Sequence, residues 1–94
     1  MEHLPSIELL ESTHVFPGRY MFKIIGRVED GFVARVVAGV REELEAPTDP
    51  PYRVRETAGG RHVSVTLEPN VESASQVLAV YRRLRLLTGL VLIL

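Results

Sequence analysis

Between Arg61 and Leu84 the hydrophobic pattern switches once, from alternation to a helical stripe, and that switch constrains the fold more than any other feature. In RHVSVTLEPNVESASQVLAVYRRL, Val63, Val65 and Leu67 fall on one side and His62, Ser64 and Thr66 on the other, the pattern of a half-buried strand. Pro69 and Asn70 break it, after which Ala74, Val77, Leu78, Tyr81 and Leu84 share one stripe of a helix, with Ser73-x-x-Gln76 as a capping box at its start. A strand face and a helix stripe joined by so short a turn are predicted to bury each other. The chain must therefore build an α+β layer.

The rest of the sequence supplies the other elements. Tyr20 to Gly26 reads as a first strand, with Tyr20, Phe22 and Ile24 on one face and Met21, Lys23 and Ile25 on the other. Glu29 to Glu45 reads as a helix with Asp30 as its cap and Val33, Val36, Val37, Val40 and Leu44 inward; Pro47 and Pro50-Pro51 end it. Glu42, Glu43 and Glu45 sit at the unfavourable end of its dipole, so pairing with arginines elsewhere is expected. Tyr52 to Thr57 is a second strand, turned by Ala58-Gly59-Gly60 into the strand of His62. Gly89 is expected to end the second long helix, and Leu90 to Leu94 to form a last strand, apolar on both faces. Before all this, Pro5 to Glu11 suggests a short helix capped by Ser6, with Leu9 and Leu10 inward. The segment 1–15 is expected as a flap over the sheet or a frayed end, and Phe16-Pro17-Gly18 as a turn.

The order is β-α-β-β-α-β, a ferredoxin-like sandwich forming a single domain over residues 1–94. Right-handed crossovers place both helices on one face of a four-stranded antiparallel sheet, with the first and third strands central. The other face stays open. Alternation assigns it Met21, Lys23, Ile25, Arg53, Arg55, Thr57, His62, Ser64 and Thr66.

Composition narrows the function classes. In 94 residues the formal net charge is −1, against the basic excess that a dedicated nucleic-acid or anionic-membrane binder needs. There is no cysteine, which removes disulfides, thiol catalysis and thiolate metal sites and suits a reducing cytoplasm. No signal peptide is visible, and LVLIL is far too short to span a bilayer.

FPGRYMFKIIG together with GGRHVSVTLEPNVESASQVLAVYRRL resembles the YbeD-like family of small bacterial proteins. That pattern is F-P-x-x-aromatic-x-aromatic-K, then a G-x-aromatic-x-S-x-S/T strand, then an acid/polar-Q-V helix ending Y-x-x-L. His62 stands where the pattern usually has tyrosine. The resemblance implies a cytoplasmic protein of ferredoxin-like fold, similar to ACT regulatory domains, with no established activity and no assigned site.

Residues decide among functions that share this fold. RNA-recognition modules stack bases on aromatics of the central strands; here those outward positions hold His62, Ser64, Thr66, Met21 and Ile25. His3, His14 and His62 lack metal-ligand spacing. Gly26-Arg27-Val28-Glu29-Asp30-Gly31-Phe32 resembles the start of an acylphosphatase phosphate loop, but it places two carboxylates where an anion would sit. No acid, base and nucleophile assemble, and neither an enzyme nor a cofactor is expected.

The expected function is a non-enzymatic regulatory or adaptor domain. It acts through Met21, Lys23, Ile25, Arg53, Arg55, His62 and Ser64 of the open face and Val91 and Ile93 of the edge strand, on a protein partner or a second copy as a homodimer. The alternative is an ACT-like sensor in which Gly31 lets backbone amides approach the carboxylate of an amino-acid-type metabolite and Asp30 meets its ammonium. Against it stands the simpler reading of Asp30 as a helix cap with Gly31 incidental, since Asp-Gly at a helix start is common.

Overall fold

The structure, a computed structural model, describes residues 4–57 and 59–94. Met1, Glu2 and His3 lie outside the described residues, as does Ala58 of the expected hairpin turn. Four strands form the main sheet: β2 (Phe22–Arg27), β3 (Tyr52–Glu56), β4 (His62–Leu67) and β6 (Leu90–Ile93), in the order β3-β4-β2-β6 with every pairing antiparallel. Helices α2 (Phe32–Glu43) and α3 (Ala74–Leu84) lie side by side on one face. This is the ferredoxin-like arrangement, with β2 and β4 central.

Register carries the alternation through the sheet. Phe22, Ile24, Val65 and Leu67 are fully buried and meet Phe32, Val36 and Val40 of α2 and Val77, Val80 and Leu84 of α3. Each such side chain contributes about 1.5–3 kcal/mol relative to exposure. The expected acid–arginine pairing also occurs, since Arg83 of α3 reaches Glu42 at 2.6 Å and Glu43 at 3.5 Å. The Ser73 hydroxyl accepts from the Gln76 amide (3.2 Å), and the Gln76 side chain accepts from the amide of Glu72, one residue ahead of the box position.

Several local expectations are corrected. Helix α1 (Ile7–Thr13) is capped by Ser6 as read, but only Leu10 turns inward; Leu9 is exposed, because Ile7 and Leu10, three residues apart, share the inner stripe. It packs against α3 in the helix layer, so it is no flap over the sheet. The first central strand begins at Phe22; Tyr20 instead donates its amide to the Pro69 carbonyl (3.0 Å) beside a small pairing of β1 (Gly18–Arg19) with β5 (Asn70–Val71). Helix α2 starts at Phe32 rather than Glu29, and its N-cap is Gly31 at φ 81°, with no side-chain cap. Asp30 lies one position too early to reach the free amides. Nor does Gly89 end α3: the last helical residue is Leu84, and Gly89, at φ 90°, is the third residue of a turn closed by Leu90 N–H to the Leu87 carbonyl (3.3 Å).

The last strand departs most. Ile25 faces Leu92 and Gly26 faces Leu90, so Val91 is an extra residue at a bulge. Ile93 therefore stands opposite Ile24 on the helix side and packs against the core, not on the open face. Leu92 takes the outward place.

Candidate functional site: the open sheet face

Among the described residues no helix covers the second face of the sheet. Lys23, Ile25 and Arg27 project from it on β2, Arg53 and Arg55 on β3, His62, Ser64 and Thr66 on β4, and Leu92 on β6, as the pairings Lys23↔Thr66↔Arg53, Ile25↔Ser64↔Arg55 and Arg27↔His62 require. Thr66, flanked by the stems of Lys23 and Arg53, is 8% exposed. The other expected members are half-buried or exposed.

The face combines an apolar strip with basic side chains. Toward β6 it is apolar: Ile25 and Leu92 are joined by Leu94, whose amide donates to the Lys23 carbonyl (2.8 Å), and by half-exposed Met21 at the start of β2. Cations flank that strip: Lys23 and Arg27 stand on β2 either side of Ile25, and Arg53 and Arg55 on β3, beyond β4. Arg53 bonds Glu68 at 3.1 Å; among the described residues Lys23, Arg27 and Arg55 form no ion pair. Most carboxylates, including Glu8, Glu11, Glu42, Glu43, Asp49 and Glu72, lie in the helix layer or its loops. A chain of net charge −1 thus presents a basic surface on one side, which draws carboxylates or phosphates to it. Reasoning by alternation missed Arg27, although counting on from Ile25 would have found it; Leu92 and Leu94 were hidden by the bulge.

The first strand–helix loop forms a separate locus. Arg35 clamps it, donating to the Asp30 carbonyl (3.1 Å), the Glu29 carboxylate (3.0 Å) and the Thr88 carbonyl (3.2 Å) across the start of β6. Gly31 has a backbone role, since a φ of 81° excludes most side chains at the entry to α2. Asp30 and Gly31 border a groove of about 660 Å³ between α2 and β3, lined also by Val33, Val37 and Tyr52. The structure therefore does not bring this loop together with the open face; they sit on opposite sides of the sheet.

The turn after α1 carries an aromatic cluster. His14 lies 4.8 Å from Tyr20, and the buried hydroxyls of Tyr20 and Tyr81 are 2.8 Å apart. Burial first, and the Tyr20 hydroxyl second, push the Tyr81 phenol far above its usual range. Among the described residues no three histidine, aspartate or glutamate side chains gather to hold a metal ion, and no helix is long and apolar enough to cross a membrane.

Solved structures resemble this one, among them the following. Protein HP0495 from H. pylori has a TM-score of 0.62 at 16% identity, covering 100% of this chain and 98% of its own. The ACT domain from the GTP pyrophosphokinase of Chlorobium tepidum, as a crystal structure, scores 0.57 at 17% identity, covering 81% of this chain and 94% of that one. Its solution structure scores 0.54 at 16% identity, covering 81% and 84%. At these identities the likeness establishes the fold alone. No curated protein matches the sequence. A family model described as "Protein of unknown function (DUF493)" matches from residue 11 to residue 94, in agreement with the motifs of Phe16–Gly26 and Gly59–Leu84, and the chain belongs to that family.

Proposed function

We propose that this protein is a non-enzymatic regulatory or adaptor domain of the cytoplasm, and that it binds other proteins through the open sheet face. The observation that carries the reading is the make-up of that face: the apolar strip of Ile25, Leu92 and Leu94 beside Lys23, Arg27 and Arg55, which form no ion pair among the described residues. An apolar patch rimmed by charge is the usual composition of a protein-binding surface. Self-association fits the apolar end, where β6 is an edge without charge.

The test is native mass spectrometry of the tagged protein recovered from its own cytosol. The wild type should carry a stoichiometric partner or a second copy. Ile25→Asp should lose it, while Arg82→Glu on the exposed side of α3 keeps it. A wild type recovered as a bare monomer refutes the reading.

A second reading has its own support. The groove beside Asp30 and Gly31, at the uncapped start of α2, offers free backbone amides and a carboxylate to an amino-acid-type ligand, and the ACT domain of the C. tepidum enzyme shares the fold. Thermal shift against a panel of amino acids tests it. Asp30→Asn is the informative variant, because leucine at position 31 would be strained at φ 81° whatever the ligand.

A further inference from the structure

The sheet ends at β3, with no strand beside it among the described residues, and the chemistry of that edge is two-sided. All five residues Tyr52–Glu56 are exposed. Thr57 N–H donates to the His62 carbonyl and Glu68 N–H to the Pro51 carbonyl. In an antiparallel ladder this alternation sends the amides and carbonyls of Arg53 and Arg55 toward β4 and those of Tyr52, Val54 and Glu56 outward. On the helix side of this strand Tyr52 is 48% and Val54 45% exposed, because α2 lies over β2 and β4 and leaves the groove of Val33, Val37 and Ala38 beside Tyr52. On the open side stand Arg53 and Arg55.

A second copy does not fit here. Every antiparallel self-pairing of β3 that keeps the two faces matched and pairs three or more of its residues sets Arg53 against Arg55, Arg53 against Arg53 or Arg55 against Arg55, and like charges directly opposite are destabilising. Nucleic acid would use the arginines and leave the outward backbone groups and the apolar side idle.

We infer that β3 accepts an extended segment of a partner protein as a fifth strand, and that this segment alternates acidic with apolar residues. Acidic side chains would stand opposite Arg53 and Arg55, and apolar ones opposite Tyr52 and Val54 over the α2 groove. Five residues span about 17 Å at roughly 3.4 Å each, and main-chain bonds supply the affinity while the alternate side chains supply selectivity. The inference rests on the adaptor reading and names its partner class.

The probe is a blocked seven-residue peptide alternating valine and glutamate, titrated into the ¹⁵N-labelled full chain, with lysine replacing glutamate as the control. Expected are shifts and slowed exchange at the amides of Tyr52, Val54 and Glu56, and at least tenfold weaker binding of the lysine peptide. Val54→Pro removes an outward donor without touching the β3–β4 ladder and should weaken binding at least tenfold. If that variant misfolds, N-methylation of the peptide's alternate amides makes the same test on the wild type. Arg53→Glu with Arg55→Glu should reverse the preference between the two peptides. Shifts confined to Lys23, Ile25 and Ser64 overturn the edge inference while the open-face reading stands. No response, an equal response to both peptides, or tighter binding of an octauridine RNA also overturns it. Failure of the adaptor reading shows separately, as the bare monomer in the native mass spectrum.

Discussion

Removing one of the two buried hydroxyls that join the segment just before β2 to α3 should cost more than removing both. Tyr20 and Tyr81 are 9% and 6% exposed, and their oxygens are 2.8 Å apart. Tyr81→Phe keeps the edge-on packing of ring 81 against Phe22, at 5.3 Å between centroids, so little dispersion is lost. The Tyr20 oxygen is then left buried without its partner, a penalty of about 1–3 kcal/mol. Tyr20→Phe does the same to Tyr81. In the double variant no orphan remains, and the total should stay under about 1 kcal/mol, so the coupling measured by the cycle is of the same order as a single loss. For a domain of this size each kcal/mol moves Tm by roughly 4–8 °C. Urea unfolding of the four proteins supplies the cycle. The pH arm has a fixed sign. The Tyr81 phenol is held protonated in the native state above its usual range, chiefly by burial, so its contribution is complete below about pH 10. It is lost as the pH rises further and only the unfolded chain ionises, at up to about 1.4 kcal/mol per pH unit. Tyr81→Phe should therefore flatten the alkaline fall in stability. Strictly additive single losses, or an alkaline slope unchanged in Tyr81→Phe, would refute the buried pair.

Other variants test the frame around the open face. Gly26→Ala places a methyl 2.1 Å from the Phe32 ring, itself 1% exposed; calorimetry should show a loss of about 1–3 kcal/mol, relieved in part by Phe32→Leu. At Gly89, φ is 90° and a Cβ would lie 2.5 Å from the Glu29 carboxylate, so Gly89→Ala should lower Cm in urea by the equivalent of about 1–2 kcal/mol or more. Ser73→Ala removes the α3 cap and should cost about 1 kcal/mol by the same assay. Arg83→Ala breaks the contacts with Glu42 and Glu43, yet the arginine side chain is 39% exposed; the expected loss is under about 1 kcal/mol and should fade in high salt.

The sequence was most legible where one periodicity ran long enough to fix a face. Val63, Val65 and Leu67 turn inward, as do Val77, Leu78, Tyr81 and Leu84, and strands of period two with helices of period near 3.6 leave few ways to join them. It was least legible where tertiary contacts override local pattern. Nothing in Leu90–Leu94, apolar at every position, marks Val91 as the bulged residue; the register shift lies beside Gly26, where the ring of Phe32 fills the space of a side chain. Asp30 has the right chemistry for a cap, but the left-handed turn at Gly31 and the grip of Arg35 on the Asp30 carbonyl take the backbone past it. Of the open face, Lys23, Ile25, Arg53, Arg55, His62 and Ser64 followed from alternation, whereas the β6 members did not, because a shift of one residue exchanges the faces.

The two sheet edges are chemically unlike, and that difference limits what this molecule can assemble into. Pairing β3 of one copy with β6 of another would repeat from copy to copy without closing, a route to filaments. On the open side it would set Arg53 and Arg55 against Leu92 and Leu94, partly stripping water from two cations while the partner strand brings no counter-charge and Glu68 meets Arg53 alone, and that cost opposes the contact. On the proposed readings, the β6 edge pairs with something equally apolar and the β3 edge with something that brings carboxylates. A chain with one edge of each kind can join a copy of itself on one side and a different, acidic strand on the other. An adaptor needs that asymmetry, whereas a domain built only to dimerise does not.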